Sequence, residues 1–252
     1  MIQGFYTAKT AVKYIQYGID VTAHNIANAN TVGFKKSTPV FKEALQSAFE
    51  KEYPADDDPV YNIGNGSHIG QVRKDMSQGA LTQTGRELDL AVNGEGFLTL
   101  IDAGGNVSYT RGGSFFLEHR QNRLSISDGH GNFLVDRNMN IITLPSGVKE
   151  ILIRENGTVT ADGTVISRVN GVLFDNPEGL LIIEKGLFNP TDSSGEATVA
   201  DIVIHQGRLE MSNVDLILEM TELIKHQRMF QMNAKIISVT DEMDSMANKL
   251  RK

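Results

Sequence analysis

Cysteine is absent from this chain of 252 residues. Its absence excludes disulfide bonds, thiol catalysis and cysteine-ligated metal sites, although it says little about the compartment. No apolar run approaches the roughly 18 residues that a membrane-spanning helix needs, and the amphipathic N-terminus lacks the pattern of a cleaved signal peptide. A basic excess is also missing, because the formal net charge is −7. The sequence therefore predicts neither membrane insertion nor a nucleic-acid partner.

No arrangement of side chains in the sequence indicates an active site. The six histidines are scattered, and no two have the spacing of metal ligands. Ser114 lacks the closing glycine of a nucleophile elbow, and Asp56–Asp58 lacks the rest of an EF-hand loop. The glycines at 64, 66 and 70 miss the dinucleotide-binding spacing by one residue. We therefore expect no catalytic activity, no cofactor and no bound metal.

Proline and glycine are missing from the C-terminal stretch between Asn213 and Lys252. This stretch predicts one continuous helix, roughly 55–60 Å long, and Ser212 with Asp215 is typical of a capping box at its start. Its apolar residues fall on a heptad seam and on a second, upstream line. The seam comprises Met229, Met232, Ile236, Val239, Met243, Met246 and Leu250, and the upstream line comprises Leu216, Met220, Leu223 and Phe230.

The N-terminal residues repeat the same three-four spacing. They predict a helix from Gln3 to Ala29, and Gly33 is its expected stop signal. We expect the two terminal helices to pair as a coiled coil, with the first helix covering the seam of the second. The apolar line of the first helix comprises Phe5, Ala8, Val12, Ile15, Ile19, Thr22, Ile26 and Ala29.

Between the two helices the pattern changes to short apolar runs separated by Asn-Gly and Asp-Gly turns. This alternation is typical of an antiparallel β-rich body, so the predicted fold class is α+β. The domain prediction has four parts: an N-terminal helix (1–41), an insertion or linker (42–70), a β-rich body (71–205) and a C-terminal helix (206–252). Strands are predicted at 88–92, 97–101, 107–110, 115–117, 124–126, 133–135, 141–144, 151–153, 158–160, 165–169 and 180–183.

Asn25 and Asn28 are unusual near the end of the first predicted helix, because asparagine is a poor residue in a helix interior. One interpretation is a frayed helix end capped by asparagine. The other is that the two amides form hydrogen bonds across neighbouring helices and fix their register, as a buried polar residue does in a coiled coil.

Several motifs resemble the flagellar basal-body rod and hook family. The run from Asn25 to Phe34 is similar to the family's first-helix signature, with a departure at His24, where the family commonly has Asn or Ser. Further similar elements occur along the whole chain. They are Gln78-Gly79-Ala80-Leu81 with Thr84, Leu88 to Val92, Gly96-Phe97, Tyr109-Thr110-Arg111, Gly113-Ser114-Phe115, Gln206-Gly207, Glu210, Ser212-Asn213-Val214, Glu219-Met220, Ile224, Gln227-Arg228 and Asp241-Glu242-Met243.

The resemblance implies a structural subunit of the rod that transmits torque to the hook. Such a subunit polymerises through its terminal helices, contacts other rod and hook subunits, and is exported by the flagellar apparatus without a cleaved signal peptide to the periplasm-spanning rod. A distal-rod type is favoured over a proximal-rod type, and both over a hook subunit; a coiled-coil adaptor is the alternative from another class. The predicted assembly interface comprises Phe5, Val12, Ile15, Ile19, Asn25, Ile26, Asn28, Leu223, Phe230, Ile236, Val239 and Met243.

Overall fold

A computed structural model describes residues 2–43, 47–48, 62–63, 67–120, 123–183 and 186–250. The chain divides into two compact units. The first, called here the helical unit, comprises Met1–Ala27, Ser37–Lys74 and Asp215–Lys252. The second, called here the β body, comprises Asn28–Lys36 and Asp75–Val214.

The helical unit contains two long helices that contact each other, α1 (Ile2–Ala27) and α2 (Leu216–Leu250). It also contains a ribbon of two antiparallel strands, β1 (Ser37–Glu43) and β4 (Ser67–Lys74). The short strands β2 (Ser47–Ala48) and β3 (Asn62–Ile63) form another antiparallel pair. The sequence predicted a turn-rich connection up to residue 70, so the strand at Ser67–Lys74 corrects that expectation. The acidic triplet 56–58 lies outside the described residues.

The helix ends differ from the prediction in ways that local hydrogen bonds explain. α1 ends two residues before Ala29, and Gly33 has a positive φ of 68° six residues beyond the helix end. At the start of α2, Asp215 Oδ1 accepts hydrogen bonds from the backbone N–H groups of Ile217 (2.9 Å) and Leu218 (3.1 Å). Asp215 is therefore the N-cap itself, and the predicted Ser212 capping box is wrong.

The β body consists of short antiparallel strands. Its largest sheet has the order β12-β10-β11-β7-β8-β18-β17, with β9, β16 and β19 attached to it. The remaining strands form the three-stranded sheet β13-β14-β15 and the pairs β6–β20 and β5–β21. The strands are β5 (Leu81–Gln83), β6 (Leu90–Asn93), β7 (Phe97–Asp102), β8 (Val107–Thr110), β9 (Phe116–Arg120), β10 (Arg123–Ser127), β11 (Asn132–Leu134), β12 (Thr143–Leu144), β13 (Ile151–Ile153), β14 (Thr158–Ala161), β15 (Thr164–Arg168), β16 (Gly171–Leu173), β17 (Leu181–Ile182), β18 (Leu187–Asn189), β19 (Thr198–Val199), β20 (Val203–Gln206) and β21 (Arg208–Glu210).

Two apolar clusters fill the β body. The larger cluster joins both main sheets through inward-facing residues such as Leu98, Ile126 and Val159. The smaller cluster is aromatic: the rings of Phe174 and Phe188 pack edge-on against Phe97 at centroid distances of 5.6 and 5.3 Å. The α+β class with an antiparallel β-rich body is confirmed. Coiled-coil pairing of the helices and the division into four predicted parts stay predictions.

Candidate assembly interface

The buried face of α1 differs slightly from its apolar line. Ala8, Ile15 and Thr22 are buried as expected, while Val12, Ile19 and Ile26 are only half-buried. The additional buried positions are Gly18 and Asn25, which an apolar pattern cannot detect. The contact face is therefore centred about one position earlier in the helix than the sequence predicted.

Gly18 of α1 lies against the imidazole of His226 on α2. A Cβ atom added at Gly18 would lie 3.2 Å from Cε1 and 3.3 Å from Nε2 of His226. The glycine thus provides the space in which the imidazole packs against the backbone of α1. A glycine costs stability inside a helix, and this packing gives the physical reason for its presence.

A line of α2 other than the predicted seam contacts α1. Glu219 and His226 contact α1, and they share a face with further half-buried residues at three- and four-residue spacing. The described side chains of the predicted seam are instead exposed, by 38–59% from Met229 to Met246. The expectation that α1 covers this seam is therefore wrong. The further half-buried residues are Leu223, Phe230, Asn233, Ile237 and Thr240.

The α1–α2 contact contains polar layers whose side chains mostly bond to their own helices. Thr22 Oγ1 donates to the carbonyl of Gly18 at 2.9 Å. On α2, Asn233 Nδ2 and Thr240 Oγ1 donate to the carbonyls four residues earlier, both at 2.8 Å. The hydrogen bonds described for these three groups stay within their own helices, so these bonds contribute no attraction between the helices.

Asn25 provides the clearest polar link between the helices. Its Nδ2 donates to the carbonyl of Ser37 at 2.8 Å and to Glu219 Oε2 at 2.9 Å, and its Oδ1 accepts from the Ser37 N–H at 2.9 Å. Asn25 is 1% exposed and Glu219 3%. The predicted interhelical hydrogen bond exists, within one chain. Together, the hydrogen bonds of Asn25 join α1, α2 and the start of β1.

Asn28 does not share the environment of Asn25. It follows the end of α1, is half-buried, and its Oδ1 accepts a hydrogen bond from Thr31 Oγ1 at 3.1 Å. The prediction that both amides point from one continuous helix face is wrong, because the helix ends between them.

The β body contains a buried ionic cluster of Lys35, Glu210 and Arg111. Lys35 Nζ lies 2.6 Å from Glu210 Oε1, and Arg111 Nε lies 3.4 Å from Glu210 Oε2. The side chains of Lys35 and Glu210 have no exposed surface. Burial lowers the pKa of Lys35, while its hydrogen bond to Glu210 acts in the opposite direction.

This cluster joins the segment after α1 to the segment before α2. Lys35 Nζ also donates to the carbonyl of Ser77 at 2.6 Å, and the Gly79 N–H donates to Glu210 Oε1 at 3.0 Å. Nearby, Asn213 Oδ1 accepts from the Lys36 N–H and its Nδ2 donates to the Asp75 carbonyl, both at 2.8 Å. Three separate parts of the chain are thus tied together inside the β body.

The predicted interface residues fall into three groups. Ile15 and Asn25 are buried, whereas Val12, Ile19, Ile26, Asn28, Leu223 and Phe230 are half-buried. Ile236, Val239 and Met243 are exposed on α2. Phe5 lies in α1, and its side chain is outside the described part. Sequence reasoning missed Gly18 and Lys35 because a glycine and a lysine do not mark a buried position.

The described residues hold no group of three or more His, Asp or Glu side chains that could bind a metal ion. Within the same residues, no helix is long and apolar enough to cross a membrane. An exposed apolar line on a terminal helix, as on α2 from Met229 to Met246, is typical of a protein that assembles with partners.

Profiles of protein families match three parts of the chain. Residues 5–35 match the flagella basal body rod protein family, residues 91–161 match the D1 domain of the flagellar hook proteins FlgE/F/G, and residues 205–250 match the C-terminal region of the rod proteins FlgEFG. The matched regions are α1 with the turn after it, the first part of the β body, and α2 with its preceding strands.

Whole-chain relatives agree with these profiles. The flagellar basal-body rod protein FlgG of Bacillus subtilis is 35% identical over 96% of both chains. FlgG of Caulobacter vibrioides is 33% identical over 99% of this chain and 100% of its own. The flagellar hook-basal body complex protein FlhP of Bacillus subtilis is 31% identical over 100% of both chains.

The chain belongs to the flagellar basal-body rod family. It is a structural subunit and not an enzyme, which accounts for the lack of a recognisable catalytic group in its sequence. Its place is the basal-body rod, where it assembles with other rod and hook subunits.

Proposed function

We propose that this chain is a FlgG-type, distal-rod subunit that polymerises with copies of itself through its terminal helices. The observation that carries the proposal is the uncovered seam of α2, where Met232, Ile236 and Met246 are 59%, 51% and 56% exposed. Such a continuous apolar stripe is costly in water and indicates a protein partner. Coverage of nearly the full length of two FlgG relatives supports the FlgG type.

The polymer needs contacts that do not close into a small ring. When the exposed α2 seam packs against a different surface of the next copy, the contact is heterologous and generates a helical filament. One side of α2 packs against α1. The exposed seam on its other side packs against the neighbouring copy, as the helices of a coiled coil do. The predicted division into 1–41, 42–70, 71–205 and 206–252 then separates assembly segments from the β-rich body.

Export belongs to the same proposal. A rod subunit has to reach its site beyond the cytoplasmic membrane, and we propose that the flagellar export apparatus carries this chain to the periplasm-spanning rod without cleaving a signal peptide. Mass spectrometry of the chain isolated from basal bodies tests this step. An intact N-terminus supports it, and a mature chain that begins after α1 contradicts it.

The polymer is tested by two matched substitutions on α2 in cells that lack the native copy. Ile236→Lys places a charge in the exposed seam, whereas Gln231→Lys places the same charge on an exposed position outside the seam. We expect Ile236→Lys to abolish swimming and rod assembly without reducing the thermal stability of the monomer, and Gln231→Lys to swim. Normal rods with Ile236→Lys would contradict the proposal.

A further inference from the structure

Methionine is the commonest residue of the α2 seam. Its side chains there are between 38% and 59% exposed, whereas Met76 and Met211, which precede α2, are half-buried. The seam exposes two pairs of thioethers, and the members of each pair lie three residues apart on one helix face. We name them the seam methionines, which are Met229, Met232, Met243 and Met246.

The sulfur atoms give these positions a chemistry that aliphatic side chains lack. A methionine thioether reacts with peroxides to give a polar sulfoxide, and reductases convert the sulfoxide back. Ile236 and Val239, the seam residues between the two pairs, have no atom that reacts in this way. The chain contains no cysteine, so no thiol of the same molecule consumes the oxidant first. Exposed thioethers are therefore the groups of this chain that a peroxide oxidises most readily.

The modification is the transfer of one oxygen atom from the peroxide to sulfur. A lone pair on the sulfur forms the new S–O bond while the O–O bond of the peroxide breaks. The proton on the transferred oxygen passes to the departing oxygen, which leaves as water when the oxidant is hydrogen peroxide. Sulfur is oxidised and the peroxide is reduced, so no further reactant is needed.

A sulfoxide in the seam changes the surface that a neighbouring copy has to cover. The thioether is apolar and packs well in irregular contacts, whereas the sulfoxide oxygen binds water through hydrogen bonds. Ile236 and Val239 of the same seam are aliphatic and provide no side-chain donor. Burying a polar group without a hydrogen-bond partner weakens a contact about tenfold or more. Oxidation therefore opposes the packing of the seam against a neighbour.

We propose that the seam methionines are a peroxide-sensitive modification site, and that their oxidation prevents a free subunit from joining the polymer. This inference rests on the proposed polymerisation through the seam. The oxidation acts before assembly, because a neighbouring copy that covers the seam also shields its sulfur atoms. Reduction of the sulfoxides returns the subunit to the form that assembles.

Met139 is the matched methionine outside the seam. It lies in a turn of the β body and is 39% exposed, close to the 38% of Met229. Its Sδ accepts a hydrogen bond from Asn170 Nδ2 at 3.5 Å. A donor is thus already present beside this sulfur, and oxidation of Met139 leaves the seam unchanged.

Peptide mass spectrometry of the purified chain gives the first test. Dilute hydrogen peroxide is added, and the gain of one oxygen atom is followed over time at each methionine. We expect the seam methionines to be oxidised faster than the half-buried Met76 and Met211, and Met139 to react at a rate similar to that of Met229. Seam methionines that react no faster than Met76 would overturn the proposal.

Peroxide sensitivity of rod assembly gives the second test, in cells that lack the native copy and methionine sulfoxide reductase. A leucine variant, in which all four seam methionines are replaced by leucine, keeps the seam apolar and removes its sulfur. Each strain is grown with and without a sublethal dose of hydrogen peroxide, and its rod number is divided by that of its own untreated culture. We expect this ratio to fall about tenfold for the parent chain and to change little for the leucine variant.

Met139→Leu is the control for the loss of a methionine elsewhere, and it should be as sensitive to peroxide as the parent chain. A leucine variant as sensitive as the parent would overturn the proposal. So would parent rods whose number does not respond to peroxide, or a Met139→Leu chain as resistant as the leucine variant.

Glutamine gives a third test, which needs neither peroxide nor the leucine variant. Its side chain is unbranched and polar, so Met232→Gln/Met246→Gln imitates two sulfoxides in the seam. We expect about tenfold fewer rods than with the parent chain, and normal rods with the control Met139→Gln. Normal rods in the double glutamine variant would overturn the proposal.

The charge variant Ile236→Lys separates this inference from the proposed function. If Ile236→Lys blocks assembly while the double glutamine variant assembles normally, the proposed polymerisation stands and the oxidation site alone fails. If Ile236→Lys also assembles normally, the proposed polymerisation fails with it.

Discussion

Asn25 and Ser37 exchange two hydrogen bonds, with the side-chain amide of Asn25 acting as a peptide group. The amide donates to the Ser37 carbonyl at 2.8 Å and accepts from the Ser37 N–H at 2.9 Å. Its second N–H donates to Glu219 at 2.9 Å. Only a side chain with one acceptor and two donors at this length satisfies all three partners. Asparagine is therefore required here by hydrogen bonding, against its low helix propensity.

The first prediction replaces this amide with an isosteric carboxyl group. Asn25→Asp loses both donors and places carboxyl oxygens against the Ser37 carbonyl and Glu219. Because the site is 1% exposed, we expect the helical unit to lose at least about 1–3 kcal/mol, measured by urea unfolding with helix circular dichroism. Asn28→Asp is the matched control, since the oxygen that accepts from Thr31 Oγ1 is kept in aspartate. Equal losses of stability in Asn25→Asp and Asn28→Asp would contradict the role assigned to the Asn25 amide.

The sequence predicted the elements of this fold better than their contacts. Periodicity located both long helices, and strands such as Val107–Thr110 were predicted with the observed bounds. It failed at the α2 seam because a heptad pattern shows which residues share a face, not which partner covers it. The face toward α1 includes His226, Asn233 and Thr240, which an apolar pattern ignores. Strands β18 to β21 were missed because they are only two to four residues long, too short for an alternating pattern to show.

The second prediction concerns the buried pair Lys35–Glu210. Lys35→Met leaves Glu210 without one of its two cations in a site with no exposed side-chain surface. Removing one partner of a buried ion pair costs about 3–5 kcal/mol, and Arg111 remains nearby, so we expect the lower end of this range for the β body.

Chemical denaturation of the purified chain, followed by a β-sheet signal, measures this effect. Arg168→Met is the control, because it breaks an ion pair with Asp201 whose carboxylate is 72% exposed; such pairs contribute about 0–1 kcal/mol. If both variants lose the same stability, the Lys35 cluster has no special role.

The third prediction compares two glycines with similar positive φ. Gly33 has φ of 68°, and a Cβ atom there would lie 2.6 Å from the Gly112 nitrogen. Gly85 has φ of 73°, with nothing within 4 Å of the same position. Gly85→Ala should cost only the backbone strain, about 1–2 kcal/mol. We expect Gly33→Ala to lower the melting temperature of the β body distinctly more than Gly85→Ala does. A smaller decrease for Gly33→Ala than for Gly85→Ala would contradict this prediction.

The fourth prediction is a loss of stability of the β body in acid. Hydrogen bonds lower the pKa values of Asp75 and Asp102, and the Arg137 guanidinium lowers that of Asp201, all from an ordinary value of 3.8. As pH falls through 3.8, the unfolded chain binds protons before the folded one, so the folded state loses stability until the folded pKa values are passed. Urea midpoints at pH 6 and pH 3 measure the loss. Asp102→Asn should make the urea midpoint depend less on pH. An unchanged pH dependence would contradict a contribution from Asp102.

The last prediction concerns the isolated monomer, in which we expect a protease-resistant core of roughly residues 70–205. The described side chains of α2 beyond Glu219 are all exposed or half-buried, and its polar layers bond mostly within their own helices. Helices with so few buried groups open locally at a small free-energy cost, whereas the clusters of the β body require global unfolding. Trypsin should therefore cleave first at exposed sites such as Lys225, Arg228 and Lys235, and mass spectrometry should show loss of residues before about 40 and after about 215. In assembled rods a neighbour would cover α2, and the same sites should resist trypsin. A monomer that stays full-length through the time course would contradict this prediction, because its helices would then be stable without a neighbour.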